Sequence, residues 1–166
     1  DHHSITEALP ETASAIVNPA LPGTPEPLAH LCGAGVAFKL AHQLLRQAET
    51  LSKDDARRFL NHIIPMVAIG TVADLVPLSG ENRIIVNKGL DLINSEDCGG
   101  NEGIRALKYA SSIFGEATAG NLSFAIAPRI NAAGRVGDPS MATALLNAET
   151  PAEAKKLAAI LECDNE

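Results

Sequence analysis

Apolar residues recur at helical spacing through most of this chain, and this periodicity limits its fold more than any other feature. From Leu31 to Ala48 they lie three or four positions apart, which predicts a helix that begins near Gly33. Ser52 predicts the cap of a second helix, in which Pro65 should cause a kink or a restart. Further helices are predicted over 83–93, 103–114, 117–127 (ended by Pro128), 140–147 and 151–161.

Strand signals are few by comparison. The short apolar run 13–18, bounded by Pro19, predicts a brief buried strand, and 129–137 has low helix propensity. A helical layer with so few strands does not make a complete α/β domain. We therefore expect the mostly helical C-terminal part of an α/β domain whose main parallel sheet lies upstream.

Composition narrows the class of protein. The 166 residues include 13 basic and 20 acidic side chains, a net charge of −7, which argues against nucleic-acid binding by bulk electrostatics. A local phosphate site built from a few arginines and metal ions remains compatible with this charge. The 3 cysteines show no C-x-x-C spacing and suggest free thiols in a reducing compartment. With no apolar run of about 18 residues and no visible signal peptide, a cytoplasmic protein is expected.

The triplet Asp1-His2-His3 is the first candidate site. A neutral imidazole binds Mn, Zn or Fe, and a carboxylate beside it can fix its tautomer. Adjacent side chains of an extended chain point in opposite directions, so one histidine is expected to bind metal and the other to reach a phosphate. The alternative is a solvated terminus without function.

Asp74 is the second candidate, because it is the one carboxylate in the almost wholly apolar run from Val67 to Val76. Burying a carboxylate is costly unless it is paired or bound to metal. A metal ligand and an exposed aspartate at a helix end are equally compatible with this spacing.

The segment from Arg129 to Arg135 is the third candidate, since its two arginines flank Asn131 and small residues that would let an oxyanion approach the backbone. Pairing of these arginines with local carboxylates such as Asp138 is the alternative. Gly33 and Gly35, at a helix start, could expose amides to a phosphate. Tight packing is the more common reason for glycine there.

These stretches together carry a family resemblance. In order they are DHH at 1–3, GAGVAFKL at 33–40, GTVADLVPL at 70–78 and RINAAGR at 129–135. Their order and spacing resemble the DHH phosphoesterase superfamily and, within it, the single-strand-specific exonucleases. The resemblance extends over nearly the whole chain.

The resemblance implies a 5′→3′ exonuclease that hydrolyses single-stranded DNA with two divalent ions, Mn²⁺ or Mg²⁺, in DNA repair and recombination. It makes His2 and Asp74 ligands of one ion, with His3 facing the scissile phosphate and Asp1 supporting the histidines. The residues expected at the phosphate or the strand are Arg129, Asn131, Arg135, Gly33 and Gly35.

The same resemblance implies a longer enzyme. Residues 1–148 would be the C-terminal part of a DHH catalytic domain, and 149–166 the start of a helix leading to a DHHA1 domain. Two upstream aspartate motifs of the family are missing here, so the chain alone is expected to be inactive. Single-strand-binding protein and a RecQ-type helicase are the implied partners. Two alternatives are a DHH phosphodiesterase for short RNA or cyclic dinucleotides and a catalytically dead replication scaffold.

Overall fold

Helices make up nearly all of the regular structure. The computed structural model describes residues 2–5, 8–134 and 138–165, and no β-strand occurs within those ranges. The helices are α1 (Gly33–Gln47), α2 (Lys53–Ala73), α3 (Gly80–Ile93), α4 (Glu102–Ala110), α5 (Ala119–Asn121), α6 (Ala127–Ala133), α7 (Pro139–Leu146) and α8 (Pro151–Asn165). Two 3-10 turns, Glu26–Leu28 and Cys98–Gly100, and the π-helical segment Leu122–Ile126 complete the set. The predicted helical character is confirmed.

The strand predicted over 13–18 is wrong. This segment has no regular structure, and Val17 is 53% exposed. A β-strand needs a neighbouring strand to satisfy its backbone groups, and the described ranges offer none. A short apolar run therefore could not form a strand here.

Helix α2 is central to the first half of the fold and packs along both α1 and α3. The Ser52 side chain caps it as predicted. No restart occurs at Pro65, which is buried inside the helix. The Asn61 carbonyl, one turn earlier, loses its usual helical donor at this proline. It lies beside Gly99, where a Cβ atom would be 3.0 Å from it.

The helix predicted to end at Pro128 instead continues to Ala133. Just before Pro128, the Ala127 amide donates to the Leu122 carbonyl in a π-type bond that spans five residues. Such a wide turn accommodates the proline ring, which would clash with a carbonyl of a regular α-helix. The low helix propensity predicted from 129 onward is therefore wrong for 129–133, and 135–137 lie outside the described residues.

Helix α8 completes the second half by packing against α4, α6 and α7. It contributes the buried Ala154, Ala158 and Leu161 to the main core. The Asp138 side chain caps α7, and the Thr150 side chain accepts from the Glu153 amide at the start of α8. None of the helices in the described part of the chain is long and apolar enough to cross a membrane.

Candidate metal centre

His2 and Asp74 come together although they are far apart in the sequence. Nε2 of His2 lies 2.9 Å from Oδ2 of Asp74, and the two side chains are 24% and 38% exposed. The pair is thus reachable from solvent but partly enclosed. An imidazole nitrogen facing a carboxylate oxygen is a donor set suited to a divalent ion such as Mn²⁺.

Asp74 owes its position to the end of α2, where it is the C-terminal cap. Its amide donates to the Gly70 carbonyl at 3.0 Å, and the chain then turns through Leu75, whose φ is 57°. This left-handed turn stops the helix and leaves the Asp74 side chain at the surface. Within the apolar run 67–76, Val67 and Val72 are buried, whereas Leu75 is 81% exposed.

Gly33 provides the space in which the His2 ring lies. A Cβ atom at position 33 would be only 3.2 Å from Nδ1 of His2. Gly35 is tightly packed as well, since a Cβ atom there would be 3.0 Å from the Leu31 side chain, and its amide donates to Sγ of Cys32. Close packing therefore accounts for both glycines, and phosphate binding by them stays a prediction.

His3 lies beside His2, and the prediction that the two rings point in opposite directions is wrong. Their centroids are 4.3 Å apart with an interplanar angle of 37°. The chain bends at His3 instead of running straight, and the Asn18 side chain donates to the His3 carbonyl at 3.1 Å. The bend removes the alternation on which that prediction depended. Asp1 lies outside the described residues.

Arg129 pairs with a carboxylate, although not with the one suggested by the sequence. Its guanidinium binds Glu162 of α8 through two nitrogens, at 2.7 Å for Nη2, and also donates to the Ala125 carbonyl. Asn131 is exposed on α6, and Arg135 lies outside the described residues. Sequence spacing contained no signal for Glu162, which meets Arg129 only because α6 packs on α8.

Sequence patterns also missed a buried link between α1 and α2. Sγ of Cys32 lies 3.5 Å from Oγ1 of Thr71, which itself donates to the Val67 carbonyl at 2.7 Å. A cysteine just before two glycines is not by itself informative. Its partner becomes apparent only once the helices pack.

Two donors are fewer than a divalent ion normally takes from a protein. Within 2–5, 8–134 and 138–165, no three His, Cys, Asp or Glu side chains lie close enough together to hold a metal ion. His2 and Asp74 therefore fit part of a metal site.

Comparison with curated proteins finds relatives along the whole chain. It is 39% identical over 163 residues to the single-stranded-DNA-specific exonuclease RecJ of Bacillus subtilis, with 98% of this chain and 19% of that protein covered. It is likewise 39% identical over 171 aligned positions to RecJ of Escherichia coli, covering 100% and 29%. No family model matches the chain.

Solved structures agree with these relatives. A crystal structure of exonuclease RecJ bound to manganese matches with a TM-score of 0.82 and 34% identity, over 99% of this chain and 39% of that one. RecJ from Thermus thermophilus in complex with Mn²⁺ matches with a TM-score of 0.82 and 33% identity, over 99% and 23%.

This chain, with its helical fold and its His–carboxylate pair, is thus similar to single-strand-specific exonucleases. The resemblance predicted from the motifs is confirmed. The proteins it resembles are the RecJ exonucleases, to which it is related along its whole length. The chain spans only 19% to 29% of the length of the curated relatives named above.

Proposed function

We propose that this chain is part of the catalytic core of a 5′→3′ single-stranded-DNA exonuclease that acts in DNA repair and recombination in the cytoplasm. The observation that carries the proposal is the 2.9 Å approach of His2 Nε2 to Asp74 Oδ2. It occurs in a chain whose relatives include RecJ structures bound to Mn²⁺ and Mg²⁺.

His2 and Asp74 would hold one of two divalent ions, Mn²⁺ or Mg²⁺. When bound, such ions activate water and neutralise the charge on the attacking and leaving oxygens of a phosphodiester. His3, whose ring lies next to that of His2, would face the scissile phosphate. Asp1 would support the histidines.

Residues around α6 and at the start of α1 are proposed to bind the DNA strand. Asn131 is exposed and available to a phosphate or sugar, and Arg135 would add a guanidinium. Gly33 and Gly35 would let the strand approach the α1 backbone. Arg129 would contribute only if the strand displaces Glu162 from its guanidinium, because both nitrogens of its fork are engaged there.

The remaining ligands would come from segments that the longer relatives contain. In this proposal they sit on two aspartate motifs at the ends of strands in an upstream parallel sheet, and α8 leads into a DHHA1 domain. Single-strand-binding protein and a RecQ-type helicase are the proposed partners. The domain boundary at 148/149 stays a prediction, although α8 packs firmly on the rest of the chain.

Nuclease assays of the full-length protein with Mn²⁺ test the proposal. On 5′-labelled single strands the wild type should release labelled mononucleotide first, and on 3′-labelled strands the label should stay in shortening products. Asp74→Asn and Asp74→Ala should each lower the rate by at least about 100-fold. Loss of a direct metal ligand should lower the rate by more than the 10- to 100-fold reduction that is typical of changes to groups that only contact a ligand.

Asp91→Asn is the matched control, because Asp91 is an exposed carboxylate on α3 that makes no part of the proposed site. It should retain wild-type activity. Equal activity in Asp74→Asn and wild type would remove Asp74 from the site. Cleavage of short RNA or cyclic dinucleotides with no action on single-stranded DNA would favour a different DHH phosphodiesterase, and no activity at all would favour a scaffold.

A further inference from the structure

We propose that Gly70 and Ala34 are positioning residues that set the separation of His2 and Asp74, and that the Cys32–Thr71 hydrogen bond fixes the register of this contact. These four residues are called the interhelical clamp below. The inference rests on the proposed metal-binding role of His2 and Asp74. It adds residues that would not touch the ion and would act through α2, which Asp74 caps, and through α1, against whose first residue the His2 ring lies.

The contact between α1 and α2 leaves no room for a side chain at position 70. A Cβ atom built on Gly70 would lie 2.8 Å from Cβ of Ala34. Carbon atoms without a bond between them do not approach so closely, since their optimal separation is about 3.5–4.0 Å. Any side chain at position 70 must therefore push the first turn of α1 away from the last turn of α2.

Each side of this contact lies next to a candidate ligand. The Gly70 carbonyl accepts the hydrogen bond from the Asp74 amide at 3.0 Å, so a shift of Gly70 moves the backbone that carries the carboxylate. Ala34 follows Gly33, which lies against Nδ1 of His2. A change in the distance between Gly70 and Ala34 is thus transmitted to both members of the pair.

A buried hydrogen-bond chain prevents the two helices from sliding instead. The Thr71 hydroxyl donates to the Val67 carbonyl at 2.7 Å and so accepts the Cys32 thiol proton, with sulfur and oxygen 3.5 Å apart. Sγ of Cys32 in turn accepts from the Gly35 amide at 3.4 Å. Cys32 is 1% exposed and Thr71 is fully buried, so water does not replace these bonds.

Calorimetric titration of the full-length, metal-free protein with Mn²⁺ tests the clamp without relying on nuclease activity. Gly70→Ala should weaken Mn²⁺ binding at one site by about 10- to 100-fold, the effect typical of residues that orient metal ligands. The double variant Ala34→Gly/Gly70→Ala exchanges the methyl group between the helices and should restore affinity to near the wild-type value. Ala34→Gly alone removes the methyl group between the helices without creating an overlap, so it should weaken Mn²⁺ binding by less than Gly70→Ala does.

Gly89→Ala is the matched control for destabilisation. Gly89 packs α3 against α2, and a Cβ atom built there would lie 2.3 Å from the Cβ atom of Ala68. The other atoms nearest to that position also belong to α2, and none of these nearest atoms belongs to α1. The melting temperature of this variant in EDTA should fall while its Mn²⁺ affinity stays at the wild-type value. Such a result separates positioning of the ligands from a general loss of stability.

Cys32→Ala and Cys32→Ser keep the proposal falsifiable if Gly70→Ala does not fold. Cys32→Ala removes the link to Thr71 and should weaken Mn²⁺ binding, whereas Cys32→Ser retains a donor and an acceptor and should restore it. Wild-type Mn²⁺ affinity in both Gly70→Ala and Cys32→Ala would overturn the clamp. It would also be overturned if Ala34→Gly/Gly70→Ala bound Mn²⁺ as weakly as Gly70→Ala alone. Retention of Mn²⁺ affinity in Asp74→Asn would instead overturn the proposed function itself.

Discussion

Nε2 of His2 lies 2.9 Å from Oδ2 of Asp74, and this contact joins the start of the chain to the end of α2. It forms because Gly33 leaves room for the imidazole and because the turn at Leu75 leaves the carboxylate at the surface. The His3 ring lies beside that of His2, but no three His, Cys, Asp or Glu side chains of the described residues are placed to hold a metal ion together. This arrangement suits half of a metal site better than a complete one.

The 166-residue chain by itself should bind Mn²⁺ weakly and show no nuclease activity, because two protein donors do not hold a dinuclear centre. Isothermal titration with Mn²⁺ measures this, with Asp74→Asn as the control that should abolish the residual heat of binding. Tight binding of two Mn²⁺ ions per chain would contradict it and would mean that the ligand set is complete within these residues.

Arg129 and Glu162 should stabilise the packing of α6 on α8. Arg129→Ala and Glu162→Ala should each lower the free energy of unfolding by about 1–3 kcal/mol, since the fork makes charged hydrogen bonds in a largely enclosed setting. Urea denaturation of both single variants and the double variant should give a coupling energy of about 1 kcal/mol.

The surface pair Arg105–Glu102, within one turn of α4, is the control for that cycle and should couple by no more than about 0.5 kcal/mol. The proposed phosphate-binding role of Arg129 would be favoured instead if Arg129→Ala left stability unchanged and weakened binding of single-stranded DNA. Glu162→Ala should then leave DNA binding unchanged.

Stability should fall in acid partly through Asp138. Hydrogen bonds from the Ser140 side chain and the Ser140 amide hold the pKa of this carboxyl below its usual value. A depressed folded-state pKa contributes stability above the unfolded-state pKa of about 3.9, and that contribution is lost as pH falls through the lower folded value. Urea denaturation between neutral pH and about pH 3 should therefore show a shallower decline in Asp138→Asn, which caps the helix without titrating.

Asp91→Asn is the comparison for the Asp138 experiment, because it removes an exposed carboxylate that caps no helix. It should follow the wild-type decline. If Asp138→Asn and wild type lose stability in parallel, the capping carboxylate does not contribute to acid sensitivity.

Thiol reactivity should divide the three cysteines into two groups. Cys163 is exposed, whereas Cys32 and Cys98 are buried, and burial raises the pKa of the Cys98 thiol. Because the thiolate is the reactive form, Ellman's reagent should label Cys163 rapidly and the other two only after addition of denaturant. Cys163→Ser should remove the fast phase, and a fast phase that persists in this variant would show that the core opens readily.

Much of the helical fold was predictable because its signals are local. The caps at Ser52, Asp138 and Thr150 satisfy amides only two or three residues away, so their sequence spacing predicts them directly. The predictions failed where the effect of a residue depends on the structure around it. Pro128 does not end its helix because a π-turn precedes it, and 13–18 lacks the partner that a strand requires.

For the candidate site, the sequence by itself determined which residue types are available. It supplied an imidazole at His2, a carboxylate at Asp74 in an apolar run, and arginines at 129 and 135. Tertiary structure decided their partners: His2 meets Asp74, Arg129 meets Glu162, and Cys32 meets Thr71. Each of these pairs is far apart in the chain, and no periodicity encodes such distances, because they depend on how closely α1 approaches α2 and α6 approaches α8.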